Sequence, residues 1–109
     1  MSAKVLIIED DASIGKLLRR TLLLEGYESD LATSGPDGLQ MFADAKPTLV
    51  ILDLMLPGMD GIQVCRHIRE KSNVPILMLT ARAAEMNLRG FITDSMYSSR
   101  ARVFGRLPR

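Results

Sequence analysis

Apolar residues fall along this chain in short continuous runs and in longer helical stripes, and the two kinds alternate. Residues 4–8, Lys4-Val5-Leu6-Ile7-Ile8, are nearly continuously apolar, as expected of a strand buried on both faces. Residues 12–25 then place Ile14, Leu17, Leu18, Thr21 and Leu22 at helical spacing, and Gly26 supplies a stop. Residues 27–31 read as a second strand, weakened by the polar Glu28, Ser29 and Asp30. Ser34-Gly35-Pro36 opens a second helix, with Ser34 or Gly35 as its cap and Pro36 in its first turn. Leu39, Phe42 and Ala43 give that helix an apolar face, and Pro47 ends it. Residues 49–53 form a third strand, 62–71 a third helix and 74–79 a fourth, wholly apolar strand.

Strand and helix alternating at these lengths imply parallel strands joined by right-handed crossovers. Ligands gather beyond the carboxyl ends of the strands in such open sheets. Glu9, Asp10, Asp53 and Thr80 all fall at those ends. Carboxylates converging there would repel one another and are costly to desolvate. A hard divalent cation with oxygen ligands relieves that repulsion, and magnesium is the usual candidate. After Asp53 the chain turns through Pro57-Gly58 and Asp60-Gly61.

Composition narrows the class without naming it. A chain of 109 residues, 47% hydrophobic and 25% charged, suits one globular domain. The net charge of +1 gives no general attraction to nucleic acid or membranes. A lone cysteine, Cys65, excludes an internal disulfide framework, and its helical spacing with Ile62 and Ile68 suggests a packed thiol. The opening residues lack the apolar stretch of a signal peptide and no segment approaches a membrane span, so a cytoplasmic protein is expected. His67, between Arg66 and Ile68, reads as a solvated helix residue.

Three separated motifs, LIIEDD, LDLMLPGMDG and PILMLTA, resemble the receiver domain of bacterial two-component response regulators, in order and spacing. The longer stretch LDLMLPGMDGIQVCRHIR is most similar to receivers attached to winged-helix transcription factors. The resemblance implies a flavodoxin-like, doubly wound α/β fold with parallel strands in the order 2-1-3-4-5. It also implies phosphoryl transfer from a sensor histidine kinase to Asp53, and thus a signalling protein that modifies only itself, not an enzyme. By the same resemblance Asp10 and Asp53 would ligate Mg2+ directly, Glu9 through water and Met55 through its backbone carbonyl. Thr80 would be the switch hydroxyl that turns toward the new phosphoryl group.

Each residue has an ordinary role beside the functional one. Asp53 could end a strand before a turn, Thr80 could be a strand-end hydroxyl, and Glu9-Asp10-Asp11 could cap the next helix. Asp11 is assigned to the cap and Asp10 to the metal. A magnesium-dependent phosphatase or phosphotransferase would also use a strand-end aspartate, but Asp53-Leu54-Met55 lacks the second aspartate such enzymes use.

The similarity is read over roughly residues 3–82, giving a receiver-like core at 1–82 and a divergent, shortened segment at 83–109. From Arg82 onward there are six arginines, and no lysine follows Lys71. Phe91-Ile92-Thr93 resembles the family's fifth strand, with Asp94-Ser95 where a Lys-Pro pair is expected. An anion in place of that cation reverses the local electrostatics. Two readings stay open: an altered or truncated ending, with phosphorylation impaired, or a variant in which Arg82, Arg89 or Arg100 covers the site. Without a regular fifth strand, the fourth becomes a sheet edge and its row Ile76-Leu77-Met78-Leu79 is expected to be poorly covered and open to pairing with other chains or aggregation, which leaves a marginal monomer or a strand-exchanged homodimer. A pseudo-receiver, binding protein partners without phosphotransfer, is the alternative. The basic tail lacks a recognition helix, so no direct nucleic-acid binding is expected of this chain.

Overall fold

A computed structural model describes residues 4–54 and 56–79. They form β1 (Lys4–Ile8), α1 (Ala12–Leu24), β2 (Glu28–Ala32), α2 (Gly35–Ala45), β3 (Leu49–Asp53), α3 (Gly61–Arg69) and β4 (Ile76–Leu79). The four strands lie parallel in the order β2-β1-β3-β4. This is the α/β doubly wound order expected from the sequence, through its fourth strand; the expected fifth strand and last helix lie outside the described residues.

The continuous apolar runs are explained by two cores, one on each face of the sheet. Val5, Ile7, Ile51, Leu77 and Leu79 pack with Leu18 and Leu22 of α1. Leu6, Ile8, Val50, Leu52 and Ile76 pack on the other face with Val64, Cys65 and Ile68 of α3, and Leu39 and Phe42 of α2 join them. Successive strand residues point to opposite faces, so a strand covered on both sides must be apolar at every position.

Two glycines let the helices approach the sheet closely. A β-carbon on Gly15 of α1 would lie 2.6 Å from Leu31, and one on Gly38 of α2 would lie 2.5 Å from Ile8. The sequence pattern does not reveal these contacts, and they alter the expected helix faces. Leu17 is 47% exposed although it shares the spacing of Leu18 and Leu22. Ala43 is exposed, and α2 buries Gly35 and Gly38.

Helix ends follow ordinary capping chemistry. Asp11 caps α1 by accepting from the N–H groups of Ser13 and Ile14, Ser34 caps α2 through Asp37 N–H, and Asp60 caps α3 through Gln63 N–H. Small boundary shifts have local causes. Tyr27 donates its N–H to the Leu22 carbonyl at 2.9 Å and closes α1, so β2 begins one residue later than expected. Pro75 has no N–H to give, and β4 begins at Ile76. Helix α3 begins at Gly61 rather than Ile62 because Asp60 is its cap.

The expected poor cover of β4 is not found. Ile76, Leu77 and Leu79 are buried, and Met78 is partly buried. Ile76 enters one core and Leu77 and Leu79 the other.

Candidate functional site

The carboxyl ends of β1 and β3, adjacent strands in the sheet, bring the acidic residues together. Glu9 follows β1 directly and continues its pairing, donating its N–H to the Ala32 carbonyl at 2.9 Å. That bond holds the Glu9 carboxylate inward, with the residue only 3% exposed. Asp53 is the last residue of β3, in register with Leu79 of β4, and is 8% exposed. The next amide, Leu54 N–H, donates to the Leu79 carbonyl at 2.9 Å and fixes the chain as it leaves the strand.

One carboxylate oxygen from each of Glu9, Asp10 and Asp53 can be chosen so that all three lie within 4.8 Å of one another. Asp10 is exposed and forms the solvent side of the cluster. The third acidic residue of the run, Asp11, is separate in function: its side chain caps α1, while its N–H donates to Glu9 Oε2 at 3.0 Å.

This arrangement pushes the Glu9 carboxyl up to about 7, chiefly because burial penalises its charged form. The Asp11 N–H opposes that shift, while the negative charge of Asp53, the proton Glu9 donates to Asp53 and the charge of Asp10 add to it. Near neutral pH the pair therefore holds a proton that a cation could replace. An all-carboxylate oxygen donor set suits a hard divalent ion and matches magnesium better than a soft metal. The cluster fits the group the sequence implied.

The segment after Asp53 is folded tightly against it. Gly58 takes φ +81°, and Met59 donates its N–H to the Pro57 carbonyl at 2.9 Å. Gly61 N–H returns to the Leu54 carbonyl at 3.0 Å, closing the loop. Pro57-Gly58 is thus a turn as expected, whereas Asp60-Gly61 is the cap and first residue of α3. A cleft of about 600 Å³ lies beside the cluster, bordered by Asp10, Leu54, Leu56, Pro57, Asp60 and Ile62.

Of the residues expected in the site, Glu9, Asp10 and Asp53 meet; Met55 and Thr80 lie outside the described residues, as does the segment carrying Asp94. Gly61 is not legible as a site residue, since the sequence does not reveal how closely it approaches the backbone of Asp53 and Leu54. Cys65 is buried in the core, where burial raises its thiol pKa, and His67 is exposed on α3. No helix among the described residues is long and apolar enough to cross a membrane.

Comparison with known proteins agrees with this geometry. Residues 5–98 match the response regulator receiver domain family. The uncharacterized transcriptional regulatory protein YrkP of Bacillus subtilis is 48% identical over 87 residues, covering 80% of this chain and 37% of the relative. The transcriptional regulatory protein ResD of the same organism is 47% identical over 89 residues, covering 81% of this chain and 37% of the relative. The chain thus spans little more than a third of the length of these two relatives. Among solved structures, Vibrio cholerae chemotaxis protein CheY4 superimposes with a TM-score of 0.69 at 33% identity, over 72% of this chain and 68% of that one. The receiver domain of the Francisella response regulator 1452 gives 0.69 at 26% identity, over 73% of this chain and 67% of that one. With the family matched over most of its length and the acidic cluster at the same end of the sheet that the sequence indicated, this chain belongs to the response regulator receiver domains of two-component signalling.

Proposed function

We propose that Asp53 is the phospho-acceptor, taking a phosphoryl group from the phosphohistidine of a sensor histidine kinase. A carboxylate oxygen of Asp53 attacks phosphorus in line, the phosphorus–nitrogen bond to the imidazole breaks, and an acyl phosphate forms on Asp53. The observation that carries this reading is the convergence of Glu9, Asp10 and Asp53 within 4.8 Å at the strand ends. Asp10 and Asp53 would hold magnesium directly, Glu9 through water, and the Met55 backbone carbonyl would supply a further ligand, while Thr80 would be the switch hydroxyl that turns toward the new phosphoryl group. When bound, magnesium offsets the charge of the carboxylates and of the transferring group. Glu9 would give up its proton on loading, and the Asp11 N–H would stabilise the carboxylate left behind.

Phosphorylation of the purified chain by a histidine kinase or a small acyl phosphate tests the assignment. Asp53→Asn is expected to abolish hydroxylamine-sensitive label, and label persisting in that variant refutes it. Magnesium binding by the unphosphorylated chain, followed by its shift of the melting temperature, gives a readout independent of transfer.

The output is proposed by analogy with relatives named as transcriptional regulatory proteins, through a region outside this chain. A core at residues 1–82, followed by a divergent segment at 83–109, is retained as the proposed organisation. Cytoplasmic location, a kinase partner and a homodimer, without nucleic-acid binding by this chain, are parts of the same proposal.

One observation favours a second reading. The family's site carries a lysine, and this sequence has none after Lys71. A pseudo-receiver would bind its partner equally well with Asp53→Asn, whereas a phosphorylation-dependent switch would lose partner discrimination.

A further inference from the structure

The sheet has a second feature far from the acidic cluster. Strand β2 pairs with β1 and with no other strand among the described residues. Because Ala32 gives its carbonyl inward to Glu9 N–H, strand alternation turns the N–H and C=O groups of Ser29 and Leu31 outward. The Ser29 carbonyl receives a donor there: the Arg19 guanidinium of α1 reaches it at 3.2 Å.

Helix α1 overhangs this edge, and a cleft of about 510 Å³ runs between them. Lys16, Arg19, Arg20 and Leu23 line it from the helix, Lys4, Glu28, Ser29 and Asp30 from the sheet, and Tyr27 from the link between them. Leu23 is 70% exposed. Lys4 and Asp30, at the same cleft, form an ion pair at 3.4 Å. Lys16 and Arg20, one helical turn apart, have no ion-pair or hydrogen-bond partner among the described residues. The cleft lining is therefore net positive, with four cations, Lys4, Lys16, Arg19 and Arg20, against the two anions Glu28 and Asp30.

We infer that the β2 edge is a docking site for an extended, acidic segment of a partner protein, added to the sheet as a further strand. Its backbone takes the outward groups of Ser29 and Leu31, displacing Arg19 from the Ser29 carbonyl. Acidic side chains on its α1 side meet Lys16, Arg20 and the released Arg19. The occupant is not a second copy: antiparallel pairing of two β2 strands sets the same basic helix face beside itself, and like charges oppose that contact.

The test is a titration of the full chain with a fluorescent peptide alternating Glu and Val, read by anisotropy and by backbone amide resonances. Saturable binding with shifts at Ser29 and Leu31 is expected. Lys16→Glu combined with Arg20→Glu weakens it about tenfold or more, and a peptide of equal charge with a central proline binds at least about tenfold more weakly. Absence of binding overturns the inference. Equal affinity for the proline peptide does so too, since charge attraction without strand pairing would then suffice. Both substituted residues are exposed, and comparing their melts with wild type checks the fold. Should the double variant unfold, the proline peptide and the Ser29 and Leu31 resonances decide the matter alone.

Discussion

A β-carbon on Gly61 would lie 2.6 Å from the carbonyl oxygen of Asp53 and 2.8 Å from the Cα of Leu54. The first residue of α3 thus rests directly on the backbone of the proposed acceptor. Backbone cannot rotate aside as a flexible side chain can, so any side chain at 61 must move the helix or the strand end. Gly61→Ala is expected to destabilise the fold by about 1–3 kcal/mol and to slow phosphoryl transfer to Asp53. Chemical denaturation and a phosphorylation time course measure the two effects separately. Wild-type stability in this variant would mean that the contact relaxes without cost.

Gly38 and Gly26 separate two reasons for glycine. At Gly38 a β-carbon would meet Ile8 at 2.5 Å, whereas at Gly26 it meets nothing within 4 Å but φ is +91°. Gly38→Ala should cost about 1–3 kcal/mol through overpacking, and Ile8→Val in the same chain should recover part of it. Gly26→Ala should cost about 1 kcal/mol through backbone strain, with no such rescue. A double-mutant cycle in urea distinguishes them; additivity at Gly38 and Ile8 would count against the packing explanation.

Glu9 makes stability depend on pH in a definite direction. Its folded carboxyl titrates at about 7 against an ordinary value of 4.5. Between those values the native state holds the proton that the unfolded chain has released, so stability falls as pH rises. The contribution is fully present below about 4.5 and is lost as pH passes through about 7. Without divalent ions, Glu9→Gln should flatten this decline, which is on the order of a few kcal/mol. Urea titrations across the interval provide the measurement, and an identical slope in the variant would remove Glu9 as the cause.

Divalent ion and proton compete for the same oxygens. Magnesium should therefore raise the melting temperature more at pH 8 than at pH 6, with proton release on binding. Asp10→Asn should lose most of that increment while leaving the apo melt near wild type, because Asp10 is exposed. Calorimetry in buffers of different ionisation heat counts the protons. A magnesium increment independent of pH would show that Glu9 is not displaced from its proton.

Asp11 joins the site to α1. Asp11→Ala should cost about 1 kcal/mol by removing the N-cap to Ser13 and Ile14, while its backbone N–H still serves Glu9. Stability is thus expected to fall with little change in magnesium affinity. A large loss of affinity would mean that the cap also positions Glu9.

Much of this was legible in the sequence because it is local. The runs of β1 and β3 are bounded correctly from the sequence, since their apolar residues end abruptly at Glu9 and at Asp53. Asp53 and Glu9-Asp10 were identifiable as strand-end acids without knowing which strands adjoin. Their meeting within 4.8 Å depends on β1 lying beside β3, which only the right-handed crossover pattern suggested. Gly15, Gly38 and Gly61 were opaque for the opposite reason. Gly15 and Gly38 make room for side chains distant in sequence and Gly61 for the backbone of Asp53 and Leu54, and a glycine does not announce which atom it makes room for.

Cys65 offers one more consequence. It is the chain's lone cysteine and lies sealed between α3 and the sheet. A thiol reagent reaches it only when that core opens, so alkylation proceeds at the pace of opening events. The unmodified chain therefore carries its own clock for structural integrity. Magnesium, a phosphoryl donor or a docked peptide can each be timed by how long they keep that sulfur out of reach.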